Sequence, residues 1–284
     1  MASSLNVAKE AEGDSSTVPN WLELPKEITA NILQRLDTID IVKSACQVCP
    51  LWWNLCKDPL VWRTIRMTSF SCSLYIHAEL VKICHYAVER SCGHLEEVDI
   101  EYFCTDQLLE CITVNGSNLR RLRLLDCQQI SDIGFSEAVR KLPQLEEVDI
   151  SFCDLLKCSL DVLGRSCPLL KTLKFVTIGL EYFGYEHNDE EAFVIAETMP
   201  GIRHLNIRGN MLTNDGLLAI LDGCPLLESL NIAECNNLRL SEGLRKRCRE
   251  QIKYVRMWTP PYDDEDVDHV SYQDSILSAI LRSL

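Results

Sequence analysis

The sequence predicts a small all-α unit of three helices followed by an α/β solenoid of parallel strands with one helix per repeat. Three observations predict it. Apolar residues recur at helical spacing in three short segments between residues 21 and 67, separated by turn signals. A strand-like hexad, apolar at its first, fourth and sixth positions, then returns seven times at a nearly constant interval. Between the hexads lie amphipathic stretches, several opened by a residue of capping type.

Residues 1–18 are rich in Ser, Ala and acidic residues and hold no apolar run that could serve as a signal-peptide core, so they read as a disordered tail. The unit at 19–67 follows. Pro25 suits the first turn of a helix, where its missing N–H loses no bond, and Ile28, Ile32, Leu33 and Leu36 then share one face. Asp37 can cap a second helix whose stripe is Ile41, Val42, Ala45 and Val48. Pro50 disfavours continuing that helix through Cys49 but suits the start of a third, with Leu51, Trp52 and Leu55 turned inward.

A unit of under 50 residues buries little of its own surface and needs a partner or a following domain to cover the rest. At these residues the chain resembles the F-box family. Leu24-Pro25, Glu27-Ile28, Ile32-Leu33, Leu36, then Val48-Cys49, Trp52 and Leu55, and finally Asp58-Pro59-Leu60 with Trp62, stand in the family's order and spacing. Pro50, Leu51 and Trp53 stand where the family often carries basic residues. The resemblance implies docking onto the Skp-type adaptor of a cullin-RING ubiquitin ligase, with Leu24, Pro25, Ile28, Leu33, Val42, Val48 and Trp52 making or supporting that contact. The same apolar stripes are also what an ordinary helical core would show.

The repeated hexads begin at Leu95, Leu119, Leu145, Leu170, Ile202, Leu227 and Ile252, in steps of 24, 26, 25, 32, 25 and 25 residues. Trp62, Ile65 and Met67 share the frame and join the helical unit to the first coil. Cys127, Cys153 and Cys235 stand at the next expected position in three units, and Asn210 in a fourth. This pattern is identified as that of the leucine-rich repeat, here about seven units over 68–258, with helices expected at 106–114, 131–141, 190–199, 214–221 and 241–249. One repeat cannot bury its own leucines, so stability comes from stacking.

Alternation along each strand sends the intervening residues to the concave solvent face. There, charge alternates over the first four coils: Glu96, Arg120, Glu146 and Lys171 in one column, and Asp99, Arg123, Asp149 and Lys174 in another. Neighbours of opposite sign should form a self-neutralising ladder, which either supports itself or presents a polar protein-binding surface. The long step marks an insertion near 179–191 carrying Tyr182, Phe183 and Tyr185, which either anchor a partner or fold back onto the coil beneath. With Arg123, Asp149, Lys174 and His204, these aromatics are the candidate substrate contacts. Residues 259–268 read as an acidic linker, and 269–284 as a helix that caps the solenoid.

A net charge of −14 argues against non-specific nucleic-acid binding, and no run approaches the ~18 apolar residues of a membrane helix. Fifteen cysteines without a secretory signal suggest reduced thiols in the nucleus or cytoplasm. Cys46 and Cys49 have metal-binding spacing but no second pair, so no metal site is expected. No phosphate loop, HExxH or nucleophile elbow occurs, and the six histidines are scattered. These absences point to a non-catalytic role, and the resemblance implies substrate recognition in an SCF-type ligase of a compact plant-type family. Its partners would be a Skp-type adaptor, a cullin through that adaptor and an unnamed substrate protein, and it would use no cofactor. The rival reading is a binding scaffold or inhibitor that promotes no ubiquitination.

Overall fold

The computed structural model describes residues 24–68, 74–177 and 189–257, with no side-chain account of 74–76. The tail, the insertion aromatics, the acidic linker and the C-terminal helix expected from the sequence lie outside these residues. Helix α1 spans Lys26–Leu33 directly after Pro25. Helix α2 (Thr38–Lys43) is capped by the Asp37 carboxylate, which accepts from the Ile39 amide at 2.9 Å. A 3-10 turn at Ala45–Gln47 leads to α3 (Pro50–Leu55), where the Cys49 thiol accepts from the Trp52 amide and Pro50 opens the helix. A second 3-10 turn, Pro59–Trp62, is capped by Asp58.

Three sequence expectations for this unit change. The second helix does not run on to Val48: Ser44 (φ −126°, ψ −61°) leaves the helical region, so the stripe loses its phase, Cys46 turns inward and Val48 is left 60 % exposed. In α1, Leu33 is fully buried and Ile28 is not; Thr29 goes inside instead, its hydroxyl donating to the Pro25 carbonyl at 3.3 Å. Leu51, Trp52 and Leu55 are only half-buried, because α3 is less than two turns long, and Cys56, Val61 and Trp62 fill the core below it.

After Trp62 a single residue, Arg63, leads into β1 (Thr64–Met67), the first strand of an eight-stranded parallel sheet. Helix α4 (Leu74–Arg90) follows, then β2 (Glu97–Glu101), α5 (Asp106–Asn115), β3 (Arg121–Leu125), α6 (Asp132–Arg140) and β4 (Glu147–Asp149). The second half runs α7 (Lys157–Ser166), β5 (Thr172–Lys174), α8 (Glu190–Thr198), β6 (His204–Asn206), α9 (Asn214–Gly223), β7 (Ser229–Asn231), α10 (Glu242–Gln251) and β8 (Tyr254–Arg256). Strands pair in chain order, each repeat against the same position of the next: Val98 faces Leu122, Leu122 faces Val148, and Leu205 faces Leu230. Strands stack ~4.8 Å apart and helices ~8–10 Å apart, so the sheet takes the inner side of the curve.

The sequence reading passed over two helices. The stretch holding α4 read as a linker, yet Leu80, Ile83, Cys84, Ala87 and Val88 are buried at strict helical spacing. Helix α7 packs through Leu160 and Leu163 with Ser159 and Gly164 beside them, and the serine and glycine dilute its apolar signal.

Three ladders stitch the coils. The thiols of Cys127, Cys153 and Cys235 donate to the carbonyls of Ile100, Leu124 and Ile207 in the preceding coil, and Asn210 does the same to Phe175 at 2.9 Å. Next to them Tyr102, Asp126, Phe152, Gly209 and Glu234 all have positive φ, and four of the five lack glycine's freedom. The amides of the first four donate to the following coil at 2.9 to 3.0 Å. On the helix side, Asp106 accepts from the Ser131 amide and hydroxyl, Asp132 from the Leu156 amide and Ser159 hydroxyl, and Asp189 from the Thr213 amide and hydroxyl. Gly134 lies so close to Asp106 that a Cβ there would collide with the carboxylate.

Candidate functional site

Two surfaces hold the sequence-predicted site residues. The first is the outer side of the three-helix unit. Its inner side is anchored to the sheet: the Arg66 amide donates to Thr38 Oγ1 at 3.0 Å, and the Thr68 amide to Asp37 Oδ2 at 3.4 Å. Burial raises the Asp37 carboxyl above the usual range, although the Ile39 and Thr68 amides that it accepts from pull the other way. Trp62, fully enclosed, donates from its indole N–H to the Cys56 carbonyl at 2.9 Å and meets the Tyr86 ring edge-on at 5.8 Å.

Of the seven residues expected on the adaptor side, Pro25 is exposed, Ile28 is 47 % and Val48 60 % exposed, and Leu24, Val42 and Trp52 are half-buried. Leu33 is fully enclosed and can act only from beneath. Trp53 and Leu60, which belong to the motif region but not to the expected contacts, are also large apolar side chains left open to solvent. Four apolar residues from α1, the turn before α3, α3 and the second 3-10 turn thus face solvent, with the Lys57 ammonium 5.3 Å over the Trp53 ring.

The second surface is the strand face opposite the helices, and it has two unlike halves. From β1 to β5 it is filled by ion pairs. Arg123 reaches Asp99 at 2.5 Å, Glu101 at 2.8 Å and Asp149 at 3.6 Å; Lys174 reaches Asp149 at 3.4 Å. Arg121 bonds Glu97 and lies 3.8 Å from Glu147. Beside them Glu146 takes Arg120 at 3.0 Å and Lys171 at 2.6 Å. The hydrogen bond from Lys171 and the charges of Lys171 and Arg120 hold the Glu146 carboxyl below the usual range. The bond it donates to Glu97 pushes Arg121 up; burial opposes the charge of Arg123, but its carboxylate partners outweigh it. The hollow left over this half measures about 150 Å³.

From β5 to β8 the ion pairs on this face are fewer among the described residues, Arg203 with Glu228 and Arg208 with Glu234, each at 2.6 Å, and beside them lies a concavity of about 550 Å³ lined by Lys174, His204, Asn231, Lys253, Tyr254 and Arg256 among others, with no Asp or Glu in its wall. The candidate substrate residues are therefore divided. Arg123 and Asp149 sit within the ion-pair network, Lys174 stands at the boundary with its ammonium on Asp149, and His204 is exposed in the open half. Tyr182, Phe183 and Tyr185 lie outside the described residues. Sequence reasoning missed Tyr254 and Ser229, whose signal was the second intervening column of the hexad, the one that also supplies His204.

Among the described residues no group of three or more His, Cys, Asp or Glu is placed to hold a metal, and no helix is long and apolar enough to cross a membrane. The described cysteines are free thiols. Cys84, beside the half-buried His85, has its thiol pushed up to about 12 by burial and by Cys111, the opposite of an activated nucleophile.

The F-box-like family profile matches residues 21–68. F-box protein SKIP19 of Arabidopsis thaliana is 43 % identical over 96 % of this chain and 93 % of its own. F-box/LRR-repeat protein 23 of the same plant is 44 % identical over 87 % of this chain and 54 % of its own length. Among solved structures, the leucine-rich repeat-containing protein LegL7 from Legionella pneumophila aligns with a TM-score of 0.43 at 12 % identity, covering 78 % of this chain and 80 % of that one.

Proposed function

This chain belongs to the F-box/leucine-rich-repeat protein family, and from that membership we propose that it is the substrate-recognition subunit of an SCF-type ubiquitin ligase. Its helical unit binds the Skp-type adaptor, and its repeats hold the protein to be modified. The observation that carries the reading is the uncovered apolar set Ile28, Val48, Trp53 and Leu60 on a unit whose opposite side is fastened into the sheet. On this reading the Skp-type adaptor covers that set, as a unit this small buries little of its own surface. The chain's part in catalysis is proximity: it raises the effective concentration of a client near a conjugating enzyme bound elsewhere in the complex. Its buried free thiols suit the reducing interior of the cell, nucleus or cytoplasm.

The test is co-purification of the full chain with a Skp-type adaptor, compared with Ile28→Asp and Val48→Asp. Both side chains already face solvent, so the variants should stay folded, yet each should weaken adaptor retention by tenfold or more, about 1.4 kcal/mol. Undiminished retention by the double variant would remove the reading. Accumulation of a client on loss of the chain separates a ligase subunit from a scaffold.

A further inference from the structure

We propose that the open half of the strand face is a receptor for an acidic segment of the client protein, an extended stretch bearing carboxylate or phosphate side chains. The inference rests on the client-binding reading above and names the chemistry of that site.

The wall of the concavity carries Lys174, which also reaches Asp149 at 3.4 Å on its outer side, together with Lys253 and Arg256 and with His204 between them, and no acidic residue lines it. The chain has 42 acidic and 28 basic residues, the first half of the same face balances nearly every cation against a carboxylate, and in this half Arg203 and Arg208 pair with Glu228 and Glu234 at 2.6 Å outside the concavity's wall. Among the described residues Arg256 and His204 meet no carboxylate, and Lys253 rests on the Tyr254 ring at 4.9 Å. A cation without a counter-ion on a concave wall is a charge the fold does not use for itself. Asn206 and Asn231 on β6 and β7 replace the charges found at the same register in β2 to β5, so amides and a tyrosine hydroxyl surround the cations. Such groups orient an oxyanion without repelling it.

Spacing sets the form of the ligand. Three strand intervals separate Lys174 from Arg256, about 14 Å, which four to five extended residues span at about 3.3 Å each. A segment with an anionic side chain near each end would meet both cations. The chain's own sequence also carries an acidic run at Asp263, Asp264, Glu265, Asp266 and Asp268. That run begins seven residues after Arg256, within about 25 Å of extended chain, so it is the alternative occupant to be tested.

The experiment titrates the full chain, bound to its adaptor, into fluorescently labelled peptides: a Gly-Ser decapeptide with four Glu, its phosphoserine counterpart, and its Gln counterpart. The Glu peptide, the phosphoserine peptide or both should bind at least tenfold more tightly than the Gln peptide, and binding should weaken as salt rises from about 50 to about 300 mM. Which of the two binds better identifies carboxylate or phosphate as the anion. The exposed pair Lys253→Gln and Arg256→Gln should lose at least tenfold, whereas Arg120→Gln, in the ion-pair half, should not. Equal binding of all three peptides, binding unaffected by the paired variant, or no binding at all overturns the proposal. Binding that emerges only after residues 263, 264, 266 and 268 are changed to Asn and residue 265 to Gln assigns the site to the chain's own acidic run and overturns a client segment. If adaptor retention persists while the anionic preference fails, only this inference falls.

Discussion

Replacing Trp62 tests whether the helical unit and the solenoid share one core. The side chain is completely enclosed, its indole N–H bonds the Cys56 carbonyl, and its ring meets Tyr86 at 88°. Trp62→Ala removes roughly 150–250 Å² of buried aromatic surface, about 4–6 kcal/mol at ~25 cal/mol per Å². Partial collapse of the cavity brings the expected loss to about 3–5 kcal/mol, a large share of the ~5–15 kcal/mol by which a domain is stable. Trp62→Phe keeps most of the area but leaves the Cys56 carbonyl unpaired, for about 1–3 kcal/mol. Urea unfolding followed by circular dichroism would give the two losses, and amide exchange would locate them. Stacked repeats interact mainly with their neighbours, so protection should fall most over residues 26–67 and least over β3 to β5. A loss under about 1 kcal/mol for Trp62→Ala, or protection falling evenly along the chain, would refute the reasoning.

Gly134→Ala should force Asp106 off the α6 N-terminus and lower stability by about 2 kcal/mol, whereas Gly243→Ala, with open space around it, should raise it by up to about 1 kcal/mol; thermal melts read both. Glu146 has a lowered pKa in the folded protein, so the stability it confers is present above its ordinary value of 4.5 and fades as pH falls through the folded value. The penalty of Glu146→Gln should accordingly be larger at pH 6 than at pH 3, and a penalty independent of pH would contradict the ion pairing. Burial pushes the thiols of Cys84 and Cys167 up to about 12 and that of Cys224 to about 11, leaving them protonated at pH 8. Maleimide labelling of the native chain, mapped by mass spectrometry, should therefore mark exposed Cys92 well before these three.

The solenoid was largely legible in the sequence because each hexad repeats one environment: Val98, Leu122 and Val148 occupy a single row of the core, and the spacing alone reports it. The ion-pair ladder was legible for the same reason, since parallel in-register strands turn a column of alternating charge into neighbours. What escaped was local or non-periodic. Ser44 breaks a helix that the apolar pattern would carry through to Val48, a backbone choice that no side-chain period encodes. Helix α4 carried a full apolar stripe but lay before the first hexad and was read as a linker. The asymmetry of the strand face was half visible: the asparagines replacing charge at positions 206 and 231 could be read, but the open volume they border depends on how far neighbouring side chains reach.

Only Arg63 separates the last turn of the helical unit from the first strand, and Trp62 on one side is as deeply enclosed as Ile65 on the other. The two halves are accordingly welded, not tethered. A flexible linker would let a captured client sweep through many poses and sample lysines over a wide radius. This joint instead offers one pose, so under the proposed function the modified lysine is chosen by the client's own shape, measured from wherever it seats on the sheet.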